Sequence, residues 1–334
     1  MVSTKRLAVG IILGALAALA IAGELAAQSV SYKQKSNNDR VIAFQQVGGV
    51  RPDKGQVAFS FYGSSGFKVT SPRGVEIFID PWRNDPSGIW GSWFAMEMPI
   101  TRTDIGLVTH SHFDHDGFDR LDATMILDRM AGSYQLGDVK ITGIAEKHMC
   151  VPQGKYSYRA AITRAIKEDP CEPNETTQWD NVLFLIETGG LRILHWGDNR
   201  QKMPDYIWKM IGDIDVAMLP VSDEGHILSH YWGDKVMEKI NAKVVFPMHY
   251  HVNGVNIPGW AGSESAIKWV MKHQHTMLDA PTVVLTRDKI KDLRHHVMYF
   301  GDHVAFPFGG PPAVDPETPP VPDPVETWKR LIQQ

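Results

Sequence analysis

Short apolar runs separated by turn residues dominate the chain from Gln56 onward. The runs are rich in Val, Ile, Phe and Thr, and Gly, Pro, Asn or Asp stands between them, which is typical of strands joined by tight turns. The turn Ser71-Pro72-Arg73-Gly74, for example, divides two such runs. The pattern predicts strands at 56–62, 67–71, 75–80, 105–110, 123–127, 139–144, 181–187, 191–196, 216–220, 243–249 and 282–286.

A helical period of apolar side chains occupies several of the gaps between these runs. It predicts helices at 156–167, 204–211, 231–240 and 263–274. The chain thus begins with antiparallel hairpins and continues with strands and helices in alternation. This order predicts an α/β protein whose sheets are covered by helices on their outer faces.

The first residues have the pattern of a secretory signal peptide. Lys5 and Arg6 precede an apolar run from Leu7 to Ala22, and small residues follow it. We predict cleavage after Ala22, with cleavage after Ala27 as the alternative. An uncleaved anchor is the competing interpretation, but the run is shorter than the roughly 20 residues that a membrane span needs. We therefore expect a secreted or periplasmic protein without a stable membrane span after cleavage.

The rest of the chain is predicted to hold one large domain with appendages. Its 334 residues are 43% hydrophobic and 22% charged, which is enough apolar material for a sizeable core. The predicted divisions are a signal peptide at 1–22, an N-terminal extension at 23–55, the domain at 56–305, and a Pro-rich tail with a short helix at 306–334.

The charge balance limits the partners. Lys and Arg number 34 against 38 Asp and Glu, so the formal net charge is −4. A chain without excess positive charge is not suited to a phosphate backbone, which argues against nucleic acid as a partner. We expect a small-molecule substrate, and an oligomer is compatible with the sequence.

The two cysteines are interpreted in the light of export. Cys150 and Cys171 lie in a Pro-containing segment, and an oxidising compartment favours a disulfide between them. The alternative is that Cys150 is a metal ligand, because it follows His148 by two residues.

The sharpest feature is the segment Leu107–Gly117, LVTHSHFDHDG. His110 and His112 are two positions apart and point to the same side as the chain leaves a hydrophobic strand. Asp114 and His115 follow at once. Neutral imidazoles suit Zn, Fe, Ni or Mn, and a carboxylate beside them favours a second, harder site or an open catalytic one. The spacing therefore predicts a metal site at a strand exit.

This motif resembles the H-x-H-x-D-H hallmark of the metallo-β-lactamase superfamily. Further motifs of that family lie at other strand ends, namely Asp80 in FIDP, His148 in AEKHM, Asp198 in HWGDN and His249 in FPMHYH. The resemblance covers residues 57–286. It implies an αββα sandwich with two mixed sheets and helices on the outer faces.

The resemblance also implies two metal ions, for which we expect zinc, with Mn or Fe as alternatives. The implied roles are as follows: His110, His112 and His148 bind the first ion, Asp114, His115 and His249 bind the second, Asp198 bridges both, and Asp80 supports the site.

The residues around the motifs narrow the resemblance. Segments such as FIDPW, ILHWGD and AKVVFPMHYH are similar to the ascorbate-6-phosphate lactonase group, a branch that includes metal-dependent hydrolases and N-acyl-phosphatidylethanolamine phospholipase D. Those relatives usually have a His where this chain has Ser64, which puts any role of that His in doubt here. True β-lactamases of this fold lack the bridging carboxylate, so Asp198 argues against β-lactamase activity.

We therefore expect an exported dinuclear hydrolase in which a metal-bound hydroxide, held by Asp198, attacks a lactone, ester, amide or phosphodiester. Asp114 would help to orient the nucleophile. His230 is the preferred proton donor, with His226 and His251 as alternatives, although each of the three has an ordinary loop histidine as its competing interpretation.

The loop Pro81–Pro99 is rich in Trp, Phe and Met. It predicts either an apolar lip over the metal site, to which Trp93 would belong, or ordinary core packing. A lip would favour a substrate with an acyl or aromatic group.

Two functions from other classes stay open. An iron-dependent oxidoreductase is one, because the same ligand set binds iron in sulfur dioxygenases and diiron flavoproteins. A non-catalytic exported binding protein that kept the fold is the other.

Overall fold

Strands form most of the regular structure in the computed structural model, which describes residues 55–88, 91–148, 179–221, 228–257 and 266–305. The strands of these ranges are β1 Val57–Phe61, β2 Phe67–Thr70, β3 Glu76–Ile79, β4 Thr101–Val108, β5 Leu121–Asp128, β6 Gly132–Leu136, β7 Val139–Glu146, β8 Asn181–Thr188, β9 Leu191–His195, β10 Val216–Pro220, β11 Val244–Met248, β12 His275–Met277, β13 Thr282–Leu285 and β14 His296–Tyr299. They assemble into two mixed sheets, as the sequence predicts.

The first sheet has six strands in the order β13-β1-β2-β3-β4-β5. Strands β1, β2 and β3 are antiparallel neighbours, and the turn between β2 and β3 is closed by a 2.9 Å hydrogen bond from the Gly74 amide to the Ser71 carbonyl. Strands β3 and β4 are parallel, with Ile79 paired to Leu107. Their carboxyl ends therefore leave the sheet at the same edge, which brings Asp80 beside the histidine motif.

The second sheet has eight strands in the order β12-β14-β11-β10-β9-β8-β7-β6. Strands β9, β10, β11, β14 and β12 run parallel, whereas β6 to β9 are antiparallel neighbours. All residues of β10 and β11 are buried, which explains why these strands are continuous apolar runs in the sequence. Strands β7, β9 and β11 all end at the same edge of this sheet.

Aromatic side chains join the two sheets face to face. Phe246 of β11 packs against Phe59 of β1, with ring centroids 5.3 Å apart, and against Phe67 of β2 at 6.1 Å. Phe300, directly after β14, contacts Phe67 at 6.0 Å. All four rings are fully buried, so the main core lies between the sheets.

Helices are few and short in the described residues: α1 Asp205–Ile211, α2 His230–Lys239, α3 Ile267–Val270 and α4 Arg287–Ile290. Helix α2 begins after Ser229, whose side chain accepts a hydrogen bond from the Trp232 amide. The Trp269 indole of α3 donates to Asp234 of α2 at 2.6 Å. No helix in these residues is long and apolar enough to cross a membrane.

The element predictions are largely confirmed. Every predicted strand is present, as are the helices predicted at 204–211 and 231–240. The helix predicted at 263–274 is wrong in length, because the described part holds only α3 before turns begin at Met271. The sequence pattern missed β6, β12, β14 and α4.

Several predictions lie outside the described residues. They are the signal peptide, most of the N-terminal extension, the helix at 156–167, the cysteines Cys150 and Cys171, the side chain of His226, and the Pro-rich tail.

Candidate metal centre

All seven candidate ligands follow the carboxyl end of a strand. They are His110, His112, Asp114 and His115 after β4, His148 after β7, Asp198 after β9 and His249 after β11. Because β7, β9 and β11 end at one edge of the second sheet, and β3 and β4 end at one edge of the first, the sandwich brings these loops together. The structure thus gathers the residues that the sequence selected, although their roles as ligands stay a prediction.

The first group of ligand atoms comprises His110, His112, His148 and Asp198. One nitrogen or oxygen of each lies within 4.8 Å of the others. His110 Nε2 is 3.1 Å from His112 Nδ1, and His148 Nε2 is 3.5 Å from Asp198 Oδ2. Three of the four residues are buried and His112 is exposed, so this group has one side open to solvent.

The second group comprises Asp114, His115 and His249, and all three are buried. Asp114 Oδ2 lies 3.1 Å from His249 Nε2 and 3.4 Å from His115 Nε2. Asp198 adjoins this group too, with Oδ1 at 3.3 Å from His115 Nε2 and Oδ2 at 3.6 Å from His249 Nε2. The Asp198 carboxylate therefore lies between the two groups.

These distances fit shared metal ligands. Two donors about 2.1 Å from a tetrahedral metal are about 3.4 Å apart, close to the separations seen in both groups. His115 Nε2 and Asp198 Oδ1 are also buried without a hydrogen-bond partner in the described part of the chain. Burying polar atoms without a partner is energetically unfavourable unless an ion or a water molecule binds them. The donor set and its spacing are suited to divalent metal.

Burial and charge prepare two histidines of the first group, His110 and His112, as neutral ligands. Burial, together with the neighbouring His115, lowers the pKa of His110 well below its usual value. His112 keeps an exposed surface, but partial desolvation of its ring within the cluster, together with His148, lowers its pKa to about 4. A neutral imidazole keeps a lone pair for a metal.

The carboxylates of the centre are held in the charged form. Burial raises the pKa of Asp198, but the nearby His115 and His249 outweigh it and bring the pKa well below its usual value. Asp114 has its pKa lowered in the same way by His115 and His249 against burial. Burial lowers the pKa of His115, yet Asp198 and the other carboxylates raise it well above normal. The centre therefore concentrates negative charge that favours a cation.

Asp80 fixes the orientation of two of these imidazoles. Its Oδ2 accepts from Thr109 Oγ1 at 2.8 Å and lies 2.7 Å from His115 Nδ1. Because the Thr109 hydroxyl proton is donated to Asp80, its oxygen accepts from His110 Nδ1 at 3.1 Å. Both histidines thus carry a proton on Nδ1 and direct Nε2 toward the ligand groups. Thr109 was not selected from the sequence, although it stands beside His110.

A tight turn presents Asp198. Gly197 has φ of +57°, and a Cβ there would lie 2.8 Å from Thr109 Oγ1, so only glycine fits. The Gly197 amide donates to His195 Nδ1 at 3.2 Å, and His195 Nε2 donates to the Ser65 carbonyl at 2.9 Å. His195 was also missed, but a histidine within the apolar run of β9 is a signal that could have identified it.

Ser64 and the two remaining candidate histidines, His230 and His251, differ in burial and contacts. Ser64 is buried with φ of +50°, and its carbonyl accepts from the His249 amide at 2.8 Å, so its turn supports a candidate ligand. His230 is buried and begins α2, and its role as proton donor stays a prediction. His251 is half-buried, two residues after His249.

The aromatic residues of the loop Pro81–Pro99 were predicted to form either an apolar lip or part of the core, and they are not all buried to the same extent. Trp82 and Phe94 are buried and stacked on each other, with centroids 4.3 Å apart, so they belong to the core. Trp93 is half-buried and packs edge-on against Phe113 at 4.2 Å. Phe113 stands between His112 and Asp114 in the sequence, so the Trp93–Phe113 pair is a half-buried apolar contact that involves the loop carrying these two candidate ligands.

Two mixed β-sheets that carry a His and Asp cluster at their strand ends define a metallo-β-lactamase fold. The sequence profile of the Beta-lactamase superfamily domain matches residues 58–249, more than half of the chain. The chain belongs to the metallo-β-lactamase superfamily.

Individual relatives are distant. A UPF0173 metal-dependent hydrolase from Thermodesulfovibrio yellowstonii is 26% identical over 214 residues, which cover 59% of this chain and 79% of the relative. A UPF0173 metal-dependent hydrolase from Pyrococcus furiosus is 26% identical over 210 residues, covering 58% and 85%. A solved structure of a metallo-β-lactamase superfamily protein from Thermotoga maritima is 19% identical, with a TM-score of 0.48, and covers 73% of this chain and 98% of that one.

Proposed function

We propose that this protein is a dinuclear metal-dependent hydrolase of small molecules, with zinc as the preferred metal and Mn or Fe as alternatives. The observation that carries the proposal is the position of Asp198, which lies 3.5 Å from His148 of the first group and 3.3 Å from His115 of the second. A carboxylate so placed is suited to bridge two ions. The names of the UPF0173 relatives, metal-dependent hydrolases, agree with this chemistry.

Divalent cations in such a site supply an activated water and a Lewis acid. The residues of the chain supply the arrangement around that chemistry. Asp198 is placed to orient the attacking water between the two groups, and Asp114 lies opposite His249 to assist it. His230 is the candidate to return a proton to the leaving group. Lactones, esters, amides and phosphodiesters all present an electrophilic centre and a polarisable oxygen to such a site.

The apolar surface formed by Trp93 and Phe113 supports a substrate with an acyl or aromatic group. Both rings are only half-buried, so they offer area that a ligand could cover. We also propose that the protein acts outside the cytoplasm, in the periplasm or secreted, on the basis of Lys5 and Arg6 before the apolar run Leu7–Ala22.

The test combines metal analysis of the purified protein with a hydrolysis panel of lactones, carboxyl esters, phosphodiesters and β-lactams. We expect about two divalent ions per chain, and activity on one of the first three classes. Asp198→Ala should lose both the activity and most of the metal. Asp213→Ala is the matched control, because Asp213 lies before β10, at the opposite edge of the sheet. A protein without bound metal, or full activity in Asp198→Ala, would contradict the proposal.

A further inference from the structure

A buried ion pair joins two of the loops that carry ligands. Arg200 Nη2 donates to Glu146 Oε1 at 2.7 Å and to Oε2 at 3.1 Å, and Arg200 Nε donates to Oε1 at 3.1 Å. The side chains are 1% and 0% exposed. Two nitrogens of the guanidinium thus donate hydrogen bonds to one carboxylate, a geometry that lysine cannot reproduce.

The pair stands next to two candidate ligands in the sequence. Glu146 ends β7, two residues before His148, and Arg200 lies two residues after Asp198. The Arg200 amide also donates to the Lys147 carbonyl at 2.9 Å. Backbone and side chain of Arg200 therefore both attach the Asp198 loop to the His148 loop.

Further hydrogen bonds hold the same two loops. The His148 amide donates to Asp180 Oδ1 at 2.8 Å. Asn181 Nδ2 donates to Asn199 Oδ1 at 3.0 Å, and both of these side chains are buried. Both loops are thus also attached to the start of β8, at Asp180 and Asn181.

Other arginine pairs of the described residues are far more exposed. Arg83 and Asp116 are 21% and 16% exposed, and Arg192 and Glu187 are 32% and 35% exposed. Burying a charged pair is unfavourable compared with apolar residues of the same volume, so stability alone is a poor reason for it. A better reason for burying the pair is that its directional hydrogen bonds fix one loop relative to the other.

We propose that Arg200 and Glu146 are positioning residues that set the distance between His148 and Asp198, and so preform the first metal group. This inference rests on the proposed metal binding. The second group takes Asp114, His115 and His249 from other loops and shares only Asp198 with the first, so it depends less on the pair.

The test separates the two groups by removing one of them. In a His249→Ala background only the first group is complete, and in a His112→Ala background only the second is. Zinc affinity is measured in each by competition with a chromophoric chelator, with Arg200 intact and as Arg200→Lys. We expect Arg200→Lys to lower the affinity about 10–100-fold in the His249→Ala background and less than about threefold in the His112→Ala background.

A second variant guards against a simple folding defect. Arg200→Met with Glu146→Leu replaces the pair by apolar residues, and we expect it to fold by circular dichroism yet keep the same selective loss of affinity. The control is Arg192→Met with Glu187→Leu, an Arg–Glu pair of β9 and β8 at the opposite edge, which should leave both affinities unchanged.

Three results would overturn the inference: unchanged affinity of the first group in Arg200→Lys, equal losses in both backgrounds, or restored affinity in the apolar pair. A wild-type protein that binds none of zinc, manganese and iron would instead overturn the proposed function.

Discussion

His115 and Asp80 are joined by a 2.7 Å contact between Nδ1 and Oδ2, and neither side chain is exposed. A carboxylate oxygen accepts, so Nδ1 of His115 carries the proton and Nε2 faces the ligand groups. Asp80 thus directs Nε2 of His115 toward the ligand groups without belonging to either group itself.

Replacing Asp80 by Asn is expected to weaken metal binding about 10–100-fold. Asn accepts the left-handed backbone at this position, where φ is +50°, so the fold should persist while the negative charge beside His115 is lost. Zinc affinity by chelator competition measures the effect. Asp138→Asn is the control, because Asp138 also accepts hydrogen bonds, from Ser71 and the Arg73 amide, but lies outside the centre. Equal affinity in Asp80→Asn and wild type would contradict this role.

The sequence was sufficient for most of the strands that form the core, with β14 as the exception. Runs such as those of β10 and β11 are apolar throughout because both faces are buried, and their pattern admits little else. The missed strand β6, Gly132–Leu136, has no fully buried residue, so tertiary pairing with β7 creates it rather than its own pattern. The overlong helix prediction at 263–274 fails because helical spacing alone does not locate the end at α3.

Four of the seven candidate ligands were identifiable because the short motif at 110–115 concentrates them, and the other three through the family resemblance, whereas the residues that hold them in place were not. Thr109, His195 and the Arg200–Glu146 pair act through contacts with residues that are distant in the sequence: Asp80, Ser65 and each other, respectively. Spacing along the chain does not reveal such contacts. The half-exposed setting of Trp93 likewise depends on tertiary packing, which separates it from the buried Phe94 beside it.

Gly117→Ala is expected to destabilise the protein by about 1–3 kcal/mol. A Cβ at Gly117 would lie 2.7 Å from the backbone carbonyl carbon and oxygen of Trp82, so the loop after the histidine motif would have to move. Chemical denaturation measures the stability. Gly233→Ala is the control, since its Cβ would meet nothing closer than 3.7 Å and alanine favours the helix. Equal stability of Gly117→Ala and wild type would contradict the prediction, because it would mean that the loop moves without a cost in free energy.

Removal of metal by a chelator is expected to lower the thermal stability by several degrees. The ligand groups gather buried carboxylates and imidazoles that an ion would satisfy, and an ion at 100 times its Kd stabilises a native state by about 2.7 kcal/mol. The Tm of metal-free protein should therefore rise as zinc is added. Magnesium should have little effect, because it prefers oxygen ligands in octahedral geometry. Equal shifts with both ions would argue against an imidazole-rich site.

Trp93→Ala is expected to raise KM about tenfold for esters or lactones with a long acyl or aromatic group, which corresponds to losing part of the apolar area that a tryptophan offers. Its ring centroid lies 4.2 Å from that of Phe113, which stands between His112 and Asp114 in the sequence, so we expect such a group to lie against both rings. We expect small substrates such as acetyl esters not to reach this surface, so their KM should change little. Trp93→Phe retains an aromatic face and should show a smaller effect. Equal increases in KM for acetyl and long-chain substrates would mean that Trp93 supports the loop rather than the substrate.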